Sequence, residues 1–301
     1  MIDHFQQPNL PAFTPNPKWR DPKLYHLAPE LKDIVNAALT LGMPILLTGE
    51  PGTGKTELAR HLAYRFELGE PERLDIQTTS VAKDLFYRYD ALSHFQYAQN
   101  QKNEMLNKAQ IEEKFIRYQA LGKAIKEQKR TVVLLDEIDK APRDLPNDIL
   151  SALEELRFQV PEIDQSFTTE VSNRPLIIMT SNSEKSLPDA FLRRVLYYHL
   201  SFPEPEQLLK IVSQKIDGWE EDQLDILISH FNELREEVDL QKKPATAELI
   251  QWAYLLKSMH FEIELLGEPH RLDETAKAKL YTSYSVLAKT QEDLKTIKER
   301  I

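Results

Sequence analysis

The run Gly49-Glu50-Pro51-Gly52-Thr53-Gly54-Lys55-Thr56 constrains this chain more than any other feature. It fits the spacing GxxxxGK[ST], with Gly49, Gly54, Lys55 and Thr56 at the fixed positions. The apolar run Ile45-Leu46-Leu47 leads straight into it, and a helical pattern over 57–67 follows. A buried strand, a glycine-rich turn and a helix in that order make a cradle for phosphate. The glycines let the backbone curl until its N–H groups point inward at phosphate oxygens. The helix adds the positive end of its dipole. Lys55 is expected to reach the β- and γ-phosphates, and the Thr56 hydroxyl to bind Mg²⁺. The candidate nucleotide-binding residues are Gly49, Glu50, Pro51, Gly52, Thr53, Gly54, Lys55, Thr56 and Glu57, the last lying in the first turn of the helix.

A second motif supplies the acids. Thr131–Leu135 is continuously apolar, as a strand buried on both faces must be, and it runs into Asp136-Glu137. Ligands of an open α/β sheet sit at the carboxyl ends of its strands. Asp136 is therefore expected in the Mg²⁺ shell with Thr56. Glu137 takes the general-base position, orienting and polarising water. Asp139 reads as a cap or structural acid. A third apolar strand over 176–180 ends in Ser181-Asn182, where Asn182 is placed to hold the water or the terminal phosphate. Arg193 and Arg194 follow Leu187-Pro188-Asp189-Ala190-Phe191-Leu192. Either is suited to stabilising charge on a transferring phosphoryl group. The candidate catalytic residues are thus Lys55, Glu137, Asn182 and one of Arg193 and Arg194.

Around these motifs, strands alternate with helices, which indicates a parallel α/β sheet. Helices are expected over 29–41, ended by Gly42, and over 103–128 and 148–156. A further strand is expected at 74–78 and a hairpin at 158–171. The aromatic stretch 84–99 reads as irregular. Beyond Phe202-Pro203-Glu204-Pro205 only helical patterns remain, at 205–216, 222–238, 246–259 and 273–300. Three segments result: a Pro-rich extended arm at 1–22, an α/β core at 23–202 and a smaller all-α lid at 203–301. The arm carries Phe5, Phe13 and Trp19, which are suited to pinning it to a neighbouring surface.

Composition narrows the function classes. The chain of 301 residues carries a formal charge of −10, and most of the excess acid lies beyond Pro203. That argues against a broad nucleic-acid surface, which needs clustered Lys and Arg. With no cysteine, disulfides, thiolate catalysis and Cys-based metal sites are excluded. No secretory pattern opens the sequence and no apolar run reaches the ~20 residues that span a bilayer, so a soluble cytoplasmic protein is expected.

Taken together, GEPGTGKTELA, LLDEIDKAP, the Thr180-Ser181-Asn182 turn and LPDAFLRRV at 187–195 resemble the AAA+ ATPases, and within them the MoxR group. The resemblance covers roughly 25–260. It implies ATP and Mg²⁺ as cofactors, a P-loop NTPase core of AAA+ type with a helical lid, and nucleotide bound between them with adenine near Tyr25–Ala28. It implies that Asn182 matches the sensor-1 polar residue and that Arg194 is an arginine finger acting on the next subunit. A finger in trans implies a ring, usually a hexamer. The family's usual role is chaperone-like remodelling or activation of a partner protein, often one with a von Willebrand factor A domain. The segments 84–97 and 158–171 would match elements that face the pore or the client. The chain departs from the pattern at 244–248. There the family commonly has a sensor-2 arginine and this chain has Glu248, with Thr246 reading as the helix N-cap. Arg271 is the remaining candidate for the missing cation. Alternative readings are a nucleotide-gated switch or scaffold, and a DNA-acting AAA+ motor, which the acidic balance disfavours.

Overall fold

The computed structural model describes residues 16–100, 106–142, 144–182 and 187–300. They divide into two compact units. One is α/β and comprises Leu27–Gly49 and Lys55–Leu200; the other is helical and comprises the described residues through His26, the loop tip Glu50–Gly54, and Ser201 onward.

The described residues of the α/β unit form nine strands: β1 (Ile45–Gly49), β2 (Glu72–Asp75), β3 (Tyr87–Tyr89), β4 (Ile116–Tyr118), β5 (Val132–Asp136), β6 (Arg157–Val160), β7 (Gln165–Thr168), β8 (Leu176–Thr180) and β9 (Leu196–Leu200). Its helices are α1 (Pro29–Leu41), α2 (Lys55–Arg65), α3 (Ala91–Asn100), α4 (Lys108–Phe115), α5 (Ala120–Lys126), α6 (Leu145–Asp148), α7 (Leu150–Glu155) and α8 (Asp189–Leu192). Five strands make one parallel sheet in the order β2-β5-β8-β1-β9. The three central strands β5, β8 and β1 are the continuously apolar runs, buried at every position. Helix α1 starts on Pro29 and ends where Gly42 turns left-handed at φ 66°.

Several sequence expectations are corrected. The helix expected over 103–128 is two helices separated by β4 (its first residues lie outside the described set). Ile116, Arg117 and Tyr118 pair antiparallel with Tyr89, Arg88 and Tyr87. Phe86, Tyr87, Tyr118, Phe158 and Phe167 then pile their rings together, and that tertiary packing overrides the local helical pattern. The stretch read as irregular, 84–99, holds β3 and most of α3 for the same reason. The strand expected at 74–78 runs over Glu72–Asp75, while the helix expected at 148–156 forms as α7, with the short α6 before it. The hairpin expected at 158–171 forms as β6 and β7. The edge strand β9 went unread because Leu-Tyr-Tyr-His-Leu is only half-buried.

In the helical unit, α9 (Pro205–Lys215), α10 (Glu221–Glu236), α11 (Thr246–Ser258), α12 (Glu274–Ser283) and α13 (Gln291–Glu299) close over Phe231, Leu249, Trp252, Leu256 and Tyr284. The single helix expected over 273–300 is two, because Tyr284, Leu287 and Ala288 are buried in the turn between α12 and α13, and Thr290 caps α13 through the Asp293 N–H at 3.1 Å. The arm expected at 1–22 lies largely outside the described residues. Where described it is not extended: Pro17–Arg20 and Pro22–Leu24 are 3₁₀ turns. Trp19 packs edge-on against Tyr254 with 5.3 Å between ring centroids, and Lys215 Nζ donates to the Trp19 carbonyl at 2.8 Å. Among the described residues no helix is long and apolar enough to cross a membrane.

Candidate functional site

Strand order decides which chain segments meet. Because β8 lies between β1 and β5, three neighbouring carboxyl ends carry the start of the glycine loop, the acids and the Ser181-Asn182 turn. Ser181 extends the ladder by donating its N–H to the Leu47 carbonyl at 2.9 Å.

At the end of β1, Gly49 has φ 141°, and a Cβ there would stand 2.4 Å from the Leu200 carbonyl oxygen, so only glycine fits. Lys55 opens α2 and is buried, with Nζ donating to the Gly49 carbonyl at 2.7 Å. The ammonium therefore lies folded back over the loop. Thr56 Oγ1 donates toward Asp136, 3.2 Å from each carboxylate oxygen. Glu57 pairs with Arg60 one turn later at 2.7 Å.

Asp136 is buried, and a buried carboxylate is costly unless its oxygens are met. Here they are met by Thr56, by the Thr180 hydroxyl, which donates to Oδ1, and by Arg73 Nη2 at 2.9 Å from Oδ2. Arg73 sits on β2 and also donates through Nε to Asp75 at 2.7 Å. Partial burial works against its charge, but the hydrogen bond to Asp75 and the charges of Asp136, Asp75 and Glu137 outweigh this and raise its pKa.

Glu137 has a left-handed backbone, φ 59° and ψ 50°. For a residue with a Cβ this costs roughly 1–2 kcal/mol. Thr180 holds the strained residue in place by accepting the Glu137 N–H at 2.9 Å. Strain of this kind clusters at functional sites. The Glu137 carboxylate lies exposed on Lys140 Nζ at 2.5 Å. That hydrogen bond raises the Lys140 pKa, with the charges of Glu137, Asp139 and Asp136 adding.

The exposed Asn182 donates its N–H to Asp139 Oδ1 at 3.3 Å, so Asp139 ties the turn after β5 to the end of β8. Arg194 is engaged away from the acids: Nε meets Glu154 at 2.6 Å and Nη1 the Ala190 carbonyl at 3.1 Å. Arg193 is exposed beside it. The α/β unit thus brings Gly49, Lys55, Thr56, Asp136 and Glu137 to one strand-end cluster, with Asn182 just past the end of the intervening β8 and Arg194 exposed elsewhere.

The loop tip belongs to the helical unit. Gly52 and Gly54 have φ 78° and 94°. A Cβ on Gly52 would stand 2.8 Å from the Ala245 Cβ, and one on Gly54 3.4 Å from the Tyr25 ring. Pro51 is exposed, the Thr53 hydroxyl donates to the Glu50 carbonyl at 2.9 Å, and the Glu50 carboxylate meets Arg235 Nη2 at 2.5 Å. Glu248 faces its own helix start, accepting the Ala245 N–H at 3.1 Å. Ala245, not Thr246, is therefore the N-cap of α11, and the Thr246 hydroxyl is buried without a hydrogen-bond partner. Arg271 is exposed, with its guanidinium on Glu268.

These residues fit a magnesium–triphosphate. The loop has positive φ at Gly49, Gly52 and Gly54, a backbone that side chains rarely adopt, and the metal candidates are hard oxygen donors. Two oxygens bound at about 2.1 Å to adjacent positions of an octahedral ion stand roughly 3 Å apart, close to the Thr56–Asp136 spacing. Sequence reasoning missed three contributors: Arg73, the Thr180 hydroxyl and Arg235. For Arg73 the signal was a charged residue inside a short strand; for Thr180, a hydroxyl at the last position of an apolar one. The Thr180→Val variant keeps the shape of β8 but removes both hydrogen bonds. It is expected to cut steady-state ATP turnover by roughly 10–100-fold, the usual cost of losing an orienting partner. Wild-type turnover would show that Asp136 and Glu137 hold their places without it.

A family model for the AAA domain (dynein-related subfamily) matches residues 44–195. A comparison with curated proteins finds no match. Among solved structures, one variant of Thermotoga maritima RuvB is 14% identical, with 86% of this chain and 74% of that chain covered at a TM-score of 0.47. A second RuvB variant is also 14% identical, with 85% and 74% covered at 0.46. Similarity at that level bears on neither residue roles nor activity.

Proposed function

We propose, from the premise that this chain belongs to the AAA domain family of the dynein-related subfamily, that it is a Mg²⁺-dependent ATP hydrolase of MoxR type. It assembles into a ring, a hexamer, and uses turnover to remodel or activate a protein partner such as one with a von Willebrand factor A domain. The observation that carries the reading is the meeting of Thr56 with both carboxylate oxygens of Asp136 at 3.2 Å, across 80 positions of sequence. Lys55 and the loop N–H groups hold the phosphates, and Thr56 and Asp136 hold the ion. Mg²⁺, when bound, neutralises charge on the β- and γ-phosphate oxygens. Glu137 takes the proton of the attacking water as the new oxygen–phosphorus bond forms and the bond to the ADP oxygen breaks. Asn182 orients that water, and the adenine lies near Tyr25–Ala28.

Arg194 serves as the finger for the next subunit. Its exposure supports that role, and leaving Glu154 is a small cost for a surface pair, about 0–1 kcal/mol. The test is mixing. Arg194→Ala rings are expected to lose turnover by roughly 10³-fold or more. Adding Glu137→Gln subunits, which keep the finger, should restore part of it. No rescue, with Arg193→Ala behaving this way instead, transfers the role to Arg193.

A second reading is a nucleotide-gated switch. It is favoured by the Glu137–Lys140 contact, which holds the general-base carboxylate on a cation. Tight ATP binding with no steady-state turnover, with or without a partner, would select it.

A further inference from the structure

Arg235 is a deeply buried cation of the helical unit, with a side chain 4% exposed on α10. Nη1 donates to the Pro244 carbonyl at 2.7 Å, and the guanidinium carbon stands 3.8 Å from the centroid of the Phe202 ring. Packing alone does not require a charge there, because an apolar side chain would cover Phe202 as well. Burying a guanidinium is unfavourable unless acceptors meet it. Nη2 is met by Glu50, whose side chain is 52% exposed and well able to be solvated by water. The carboxylate is nevertheless drawn 2.5 Å onto Arg235. Glu50 is the second residue of the phosphate loop. The Thr53 hydroxyl closes the same loop tip on the Glu50 carbonyl at 2.9 Å, and a Cβ on Gly52 would stand 2.8 Å from the Ala245 Cβ. At the start of α11, where a lid arginine is expected, Glu248 instead serves its own helix.

We propose that the Arg235–Glu50 ion pair sets the curl of the phosphate loop, making Arg235 a positioning residue for nucleotide binding; this rests on the reading of that loop as an ATP site. The pair, with the Thr53–Glu50 hydrogen bond beside it, turns the N–H groups of the tip. Both members of the pair lie in the helical unit, to which the loop tip Glu50–Gly54 belongs.

The test is a double-mutant cycle on ATP affinity, measured by equilibrium dialysis on the full chain with Glu50→Gln, Arg235→Met and the double variant. Each single variant is expected to weaken ATP binding about tenfold, and the double variant by about the same factor, because both remove one interaction. Arg235→Lys, which keeps charge but loses the fork, should recover part of the affinity. A purely structural Arg235 would lower the thermal midpoint yet leave Glu50→Gln at wild-type affinity, or the two effects would multiply to about a hundredfold. Either result overturns the proposal. Should Arg235→Met fail to fold, Glu50→Gln and Glu50→Asp decide it, since wild-type affinity in both also overturns it. Absence of ATP binding by the wild-type chain is a different result, one that removes the site itself.

Discussion

Lys55→Ala is expected to abolish measurable ATP binding. The wild-type ammonium is buried and folded over the loop at 2.7 Å from the Gly49 carbonyl, so it needs no large search to reach a phosphate. A charge-assisted contact to phosphate is worth about 1.5–3 kcal/mol, and a lysine bridging two phosphates makes two of them. The loss is then roughly 10²–10³ or more in affinity. Alanine is a strong helix former, so α2 should survive, and circular dichroism checks that. Binding of a fluorescent ATP analogue is the measurement. An unchanged dissociation constant would refute the phosphate-loop assignment and everything built on it.

Glu137→Gln has the second large effect, of the opposite kind. The amide keeps the size of the side chain and leaves the backbone N–H on Thr180 untouched. It cannot take a proton from water. Single-turnover hydrolysis should fall by roughly 10²–10⁴, the usual contribution of a general base. The ATP dissociation constant should stay within about threefold of wild type, because no phosphate contact is lost. The variant would then accumulate in its ATP-bound form, and proteins that co-purify with it become candidates for the client. Wild-type turnover would remove Glu137 from the mechanism and return Lys140's partner to an ordinary surface acid.

The two variants separate binding from chemistry because the fold separates them. Lys55 comes from the helix after β1 and Glu137 from the end of β5, two strands that do not touch, with β8 between them. Thr180, at the end of that middle strand, is the link that fixes both acids.

The amino-acid sequence by itself determined the phosphate loop, the acidic pair and the three central strands. Those features are local: a glycine spacing imposes its own curl, and a strand buried on both faces must be apolar throughout. The tertiary structure alone decided the rest. Ile116–Tyr118 became a strand because Tyr87–Tyr89 was there to pair with it and Phe158 to receive the Tyr118 ring, against a local helical pattern. Arg73 and Arg235 look like ordinary surface cations in the sequence, and only folding carries one onto Asp136 and the other onto Glu50. The physical reason is range: backbone geometry is set by neighbours a few residues away, whereas charge pairing depends on which distant segments the sheet and helices bring within about 4 Å.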